Sequence, residues 1–210
     1  MNIIFAGSKG KTGSVIFNYL KQKGYIINTE INLNENKLLD NIKPGSIIID
    51  FTSKDIAYEH ALICLKNNSH FICGTTGLSN EQTNDLINQA KEKSLTFIFN
   101  PNFSLGIPLI IPFISTLKEE FNDIKIIESH HISKKDLPSG TSLLLKKQLS
   151  ENTKIESIRT TYPTLDHTII FKNEYEEITI THKANNKLAY ALGVEKTLKQ
   201  LINELKKQHK

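Results

Sequence analysis

A short apolar run that feeds straight into three evenly spaced glycines constrains this chain more than any other feature. Asn2-Ile-Ile-Phe-Ala6 suits a buried parallel strand. It leads into Gly7-Ser-Lys-Gly10-Lys-Thr-Gly13, then an amphipathic stretch from Ser14 to Lys23 with Val15, Ile16, Tyr19 and Leu20 at helical spacing. Strand, glycine turn and helix in that order begin a dinucleotide-binding unit. Glycine permits the tight turn and close backbone approach, and the helix N-terminus offers amides to a pyrophosphate. The spacing is G-x-x-G-x-x-G rather than the commoner G-x-G-x-x-G, so by itself it also fits a glycine-rich turn with no ligand. Gly10-Lys11-Thr12 resembles the end of a P-loop, but the first glycine of that motif would fall on Phe5. The nucleoside-triphosphate reading fails at that residue.

The first half goes on alternating. Strands are expected at 25–33, 46–50, 70–73 and 95–99, with helices at 54–66 and 81–93 and a short helical link at 37–42. Repeated strand-then-helix units imply a parallel sheet with crossovers. Ligands of such sheets bind outside the carboxyl ends of the strands. Gly7–Gly13, Asp50-Phe51-Thr52, Gly74-Thr-Thr-Gly77 and Asn100–Gly106 all fall at that edge. The expected dinucleotide contacts are Gly7, Ser8, Lys9, Gly10, Lys11 and Thr12 in the first turn. Gly74, Thr75 and Thr76 supply the next group, and Asn100, Pro101, Asn102 and Phe103 the last.

After residue 101 the pattern changes. A helix is expected over 107–121, made irregular by Pro108 and Pro112, then a strand over 124–129, a helix over 139–149 and strands near 154–161, 168–172 and 177–181. The region reads as an antiparallel or mixed sheet, and a long helix over 188–207 ends the chain. The fold class is therefore α/β: an N-terminal Rossmann-like parallel sheet with a second α+β domain on a mixed sheet. The expected domains are 1–101 plus 188–210, and 102–187. Between strand and helix lies Glu128-Ser-His-His-Ile-Ser-Lys-Lys-Asp-Leu-Pro-Ser-Gly-Thr141. It concentrates proton donors, cationic anchors and anion-binding amides. His130 and Lys134 are the candidates for chemistry, and a solvated, charged loop is the alternative.

Bulk composition narrows the classes. With 210 residues, 39% hydrophobic and 23% charged, the chain can bury a proper core. A net charge of +4, spread along the chain, leaves no nucleic-acid footprint. Arg159 is the only arginine, and the other basic residues are lysines. Cys64 and Cys73 lie in apolar surroundings without zinc-like spacing, so two buried thiols in a reduced compartment and no metal site are expected. No run approaches the roughly 20 apolar residues that span a bilayer. A cytoplasmic location without membrane partners is the expectation.

With these residues in view, the chain resembles the 4-hydroxy-tetrahydrodipicolinate (dihydrodipicolinate) reductase family of the diaminopimelate route to lysine. The family signature E-x-H-H-x-x-K-x-D-x-P-S-G-T matches Glu128–Thr141 at every fixed position. D-F-[ST], G-T-T-G and N-F-S-x-G match Asp50–Thr52, Gly74–Gly77 and Asn102–Gly106, and later matches are His167–Phe171 and Ile180–Ala184. The segment between glycine loop and D-F-[ST] is shorter than usual, so the chain looks like a short form. Asn32 stands where an acidic residue usually grips the adenosine ribose. Lacking that carboxylate, and with Lys9 and Lys11 able to attract a 2′-phosphate, the chain is open to NADH or NADPH as coenzyme.

The resemblance implies hydride transfer to a cyclic unsaturated dicarboxylate with loss of water, and a homotetramer. It suits His130 as general acid and Lys134 as second donor or electrostatic anchor. His131 would hold one carboxylate, and the Gly140 and Thr141 amides the other. Lys135 is expected to be surface charge, Asp136 to orient the loop, and His167 and His182 to be structural. An aspartate- or homoserine-type dehydrogenase would share the crevice but has no reason to carry the His-His block. A nucleotide-sensing regulator would need a partner element that the sequence does not show.

Overall fold

The computed structural model describes residues 1–31 and 38–208. Asn32 lies outside the described residues. The described chain divides into two units, Met1–Phe103 with Tyr190–Lys210, and Ser104–Ala189.

In the first unit β1 (Ile3–Ala6), α1 (Gly13–Gln22), β2 (Thr29–Ile31), α2 (Leu38–Asn41), β3 (Ile47–Asp50), α3 (Lys54–Lys66), β4 (His70–Cys73), α4 (Asn80–Glu92) and β5 (Phe97–Phe99) follow one another. The strands form an all-parallel sheet in the order β2-β1-β3-β4-β5. Every residue of β1, β3 and β4 is buried, as a strand covered by helices on both faces requires. The two-residue period sorts their side chains. Ile3, Phe5, Ile47, Ile49 and Ile72 pack with Ile16 and Leu20 of α1, and with Val194 and Leu198 of the closing helix α7 (Leu188–Gln208). Ile4, Ala6, Ile48 and Phe71 pack with Ala61 and Leu65 of α3 and Leu86 of α4. The strand order reverses beside β1, so the crevice position of such sheets lies outside the carboxyl ends of β1 and β3.

The second unit holds α5 (Gly106–Leu117), β6 (Asp123–His131), α6 (Gly140–Gln148), β7 (Lys154–Thr160), β8 (Leu165–Lys172) and β9 (Glu177–Lys183). Its sheet runs β7-β6-β8-β9, with β6 and β7 parallel and the other pairs antiparallel, which is the mixed sheet expected from the sequence. One face carries Ile124, Ile126, Ile169 and Phe171 against Ile107 and Ile114 of α5 and Leu145 of α6.

Several boundaries depart from the expected ones. β6 continues past Ser129 to His131, because His130 is paired on both sides, with Arg159 of β7 and Leu165 of β8. β8 starts at Leu165 and so includes Asp166 and His167, which the sequence reading put between strands. β2 starts at Thr29 and not at Tyr25, because the Tyr25 amide turns back onto the Leu20 carbonyl (3.1 Å) at the end of α1, and the expected end of the strand lies outside the described residues. α5 stops at Leu117, where Glu119 and Glu120 donate to carbonyls three residues back. Among the described residues, no helix is long and apolar enough to cross a membrane.

One close approach fixes α7 against the first unit. A Cβ at Gly193 would stand 1.5 Å from the Phe103 carbonyl oxygen. Gly193→Ala is expected to destabilise the protein by about 3 kcal/mol through overpacking against backbone, read as a lower urea midpoint at unchanged slope. A midpoint equal to the parent's would show that the contact relaxes freely.

Candidate functional site

In the second unit the alternation of β6 builds the site. Ile124, Ile126, Glu128 and His130 are buried while the residues between them are more exposed. The face that starts as apolar core therefore ends as a polar cluster. The neighbouring strands bring matching residues to the same end: Glu128 lies opposite Ser157 of β7 and His167 of β8, and His130 opposite Arg159.

Glu128 is 0% exposed, yet both its oxygens are engaged. One accepts from the Arg159 guanidinium at 2.9 Å and the other meets His130 Nδ1. Burial alone would raise this carboxyl. Hydrogen bonds from His130, Ser157 and Arg159, with the His130 charge, outweigh it and hold the group at about 2. With Nδ1 taken by the carboxylate, Nε2 is the nitrogen of His130 left for proton transfer. Arg159 also donates to the Asp136 carbonyl at 2.7 Å, tying the signature loop to β7.

His167 sits edge-on to His130, ring centroids 5.1 Å apart, and its Nε2 lies 3.1 Å from the Ser139 hydroxyl. Its Nδ1 is buried without a hydrogen-bond partner. Burial, followed by the charge of His130, lowers its pKa to about 3 and keeps the ring neutral. Glu128, His130 and His167 offer ligand atoms within 4.8 Å of one another, a spacing that a metal ion could use. The Arg159 cation on Glu128 opposes a second cation at that point.

The remaining candidates follow in the chain, and the alternation of β6 turns His131 to the face opposite His130. Lys134 Nζ contacts both Asp136 oxygens, at 2.9 and 2.8 Å. His131 Nδ1 accepts from the Ser133 amide (3.1 Å), so its ring proton sits on Nε2, a donor suited to a carboxylate. Ser139 caps α6 by accepting from the Ser142 amide at 3.2 Å. Gly140 and Thr141 open that helix, where backbone amides lack intrahelical acceptors.

The glycine loop lies in the first unit. Gly7 has φ +90°, and a Cβ there would stand 2.4 Å from the Phe51 carbonyl oxygen. One on Gly13 would stand 2.1 Å from the Gly7 oxygen, and one on Gly74 2.1 Å from the Phe51 ring. These three glycines are required by close packing. The N-cap residue of α1, Thr12, makes no side-chain cap, and the first turn carries no acid, so the helix start suits an anion. Lys9, Gly10 and Lys11 are exposed, whereas Ser8 is buried and donates to the Glu30 carboxylate of β2. Thr75, Asn102 and Phe103 are buried, and Thr76, Asn100 and Pro101 half-buried. The Asn102 amide bonds the Asn100 side chain at 3.0 Å.

Glu128 and Arg159 hold roles here that their sequence context does not assign. The available signal was the alternation from Ile124, which puts residue 128 on the core face, together with the solitary arginine. Cys64 and Cys73 are buried and free, and burial pushes both thiols well above their ordinary range.

Acid stability should follow from the cluster. Glu128 titrates lower folded than unfolded, so its contribution is present above about pH 4.5 and is lost as pH falls toward 2. His167 also titrates lower when folded, so protonation of the unfolded chain erodes stability from about pH 6.5 down to 3. Arg159→Met should remove about 3 kcal/mol by leaving a buried carboxylate without its cation, and should shift acid unfolding to higher pH. Circular dichroism against pH reads this; an unmoved acid midpoint would deny Arg159 the role.

The chain matches two family models, "Dihydrodipicolinate reductase, N-terminus" over residues 1–103 and "Dihydrodipicolinate reductase, C-terminus" over 106–210. It is 34% identical over 201 residues to 4-hydroxy-tetrahydrodipicolinate reductase of Thermosipho africanus, covering 94% of this chain and 90% of that one. The enzyme of the same name from Buchnera aphidicola is 32% identical, with 91% and 88% covered. Among solved structures, the dipicolinate-bound dihydrodipicolinate reductase of Paenisporosarcina sp. TG-14 shares the fold, with a TM-score of 0.72 at 24% identity, covering 97% and 95%. The aspartate dehydrogenase of Thermotoga maritima shares the general fold at 0.59 and 12% identity, covering 96% of each chain. With both halves matched in order, and with Glu128, His130 and Ser139 of the Glu128–Thr141 segment buried together with His167, the chain belongs to the dihydrodipicolinate reductase family.

Proposed function

We propose that the chain is an NAD(P)H-dependent oxidoreductase that reduces 4-hydroxy-tetrahydrodipicolinate to tetrahydrodipicolinate, with loss of water, in the diaminopimelate route to lysine. The observation that carries this reading is the Glu128–His130 pair, an oriented imidazole on a buried carboxylate, which an NAD-binding regulator would not need. The same pair weighs against an amino-acid dehydrogenase on this fold.

The first unit binds the coenzyme. The start of α1, which has no side-chain cap, and the exposed Lys9 and Lys11 fit its phosphates, and Gly7, Gly10, Gly13 and Gly74 let the loop fold tightly on Phe51 and on itself at that place. Ser8, Thr12, Thr75, Thr76, Asn100, Pro101, Asn102 and Phe103 complete that assignment. When bound, the reduced nicotinamide supplies a hydride to the conjugated ring of the substrate. The second unit holds the dicarboxylate: His131 Nε2–H takes one carboxylate, and the Gly140 and Thr141 amides the other. His130 gives the proton that quenches the negative charge built up by hydride addition, and Glu128 holds the imidazolium upright before transfer. At 4% exposure His130 is sheltered from bulk water. Lys134, braced by Asp136, stabilises the anionic intermediate.

Either nicotinamide coenzyme fits this reading, because Lys9 and Lys11 favour a 2′-phosphate while the Glu30 carboxylate near Ser8 favours a free ribose. The reading includes action in the cytoplasm, and assembly as a homotetramer, which the family resemblance implies. Light scattering on the purified protein reads the assembly.

His130→Gln should lower kcat on the enzymatically generated dicarboxylate by about 100-fold or more while the KM for dicarboxylate stays within a few-fold. Lys134→Ala should reduce kcat as well. Turnover of His130→Gln close to the parent would remove the acid assignment. NAD(P)H binding without oxidation of any dicarboxylate would favour the regulator instead.

A further inference from the structure

Asp50 ends β3 at the sheet edge where the dinucleotide is assigned, yet its side chain is fully buried. Its Oδ1 accepts three hydrogen bonds: from the Thr52 amide (2.9 Å), the Thr52 hydroxyl (2.7 Å) and the Thr75 hydroxyl (2.9 Å). Its Oδ2 meets His60 Nδ1 of α3 at 2.7 Å. One carboxylate thus joins the loop after β3, the loop after β4 and a helix. The next residue acts on the same loop from another side. The Phe51 ring stacks on Phe5 at 6.2 Å and closes the space where a Gly74 side chain would be. The backbone of Gly74 and Thr75 is therefore pressed on Phe51 and hung from Asp50. Neither Asp50 nor Phe51 was among the residues expected to contact the coenzyme.

We infer that Asp50 is a positioning residue for coenzyme binding: braced by His60, its carboxylate fixes the loops of Thr52 and Thr75 and so aims the Gly74–Gly77 backbone at the dinucleotide. The inference rests on the reading of the first unit as the coenzyme-binding unit. The reason is one of acceptor strength. A carboxylate accepts three donors on one oxygen more strongly than a neutral amide does, and a buried one holds that geometry because leaving donors unmatched costs more than forming the bonds gains. The Thr75 hydroxyl is committed to Asp50, so Thr75 serves the coenzyme through its backbone. Such a residue acts on the affinity for one ligand and leaves the proton-transfer machinery of the second unit untouched.

The test compares Asp50→Asn, Thr75→Val and Thr75→Ser in the full-length protein. Direct NADH and NADPH titrations by fluorescence, kcat and both KM values are measured, with melting temperature as the fold control. Asp50→Asn and Thr75→Val should each raise the coenzyme Kd and KM at least ten-fold. Their kcat at saturating coenzyme and their KM for dicarboxylate should stay within three-fold of the parent. Thr75→Ser, which keeps the hydroxyl, should restore coenzyme affinity to within two-fold. Folded Asp50→Asn and Thr75→Val proteins that bind coenzyme like the parent would overturn the inference. So would a fall in kcat with both KM values unchanged, the mark of a smaller folded fraction. Should Asp50→Asn fail to fold, the Thr75→Val and Thr75→Ser pair decides by the same split. A parent that binds neither NADH nor NADPH would overturn the reading of the first unit and this inference with it, whereas a parent that binds them while the variants match it overturns only the inference.

Discussion

Taking the Glu128 carboxylate wholly out of water obliges the second unit to answer a full negative charge on both oxygens. Arg159, His130 and Ser157 do so, and much of the local structure follows from their being there. Arg159 has to come from β7 in register with His130, which requires β6 and β7 to pair in parallel to the end of β6. Its second donor group then reaches the Asp136 carbonyl and holds the loop that carries Lys134. The imidazole of His130 is turned by the same carboxylate, with His167 kept neutral against it. A single desolvated charge sets the orientation of the His130 imidazole and the path of the loop beside it.

The first unit solves a similar problem differently. Its buried carboxylate, Asp50, faces a histidine and three neutral donors in place of a guanidinium. The result organises backbone rather than a reactive side chain. Around it Gly7, Gly13 and Gly74 let main chain come within contact distance of Phe51 and of itself, so the loop amides are set by packing. Loop amides and a helix start of this kind are the donors by which folds of this class commonly hold phosphates.

The alternating strand–helix order, the glycine turn and the failed P-loop match all follow from residue spacing, and they lead to a parallel sheet with its polar ends on one edge. The mixed character of the second sheet was also readable, from strands with partial alternation. What escaped was the length of β6 and β8. His130 and His167 look like loop residues because histidine has no strong strand signal, and only pairing across β7 and β8 makes them strand residues. Roles for Glu128, Arg159 and Asp50 escaped for a related reason. A charged residue in an apolar neighbourhood says that a partner must exist without saying which residue it is.

Local pattern and family signature by themselves determined the α/β class, the two kinds of sheet and the family, because periodicity and turn chemistry act over a few residues. Tertiary structure alone decided which charges meet. Residues 128 and 159, or 50 and 75, are brought within hydrogen-bond distance by strand register and loop closure, and no interaction between near neighbours in the chain specifies either.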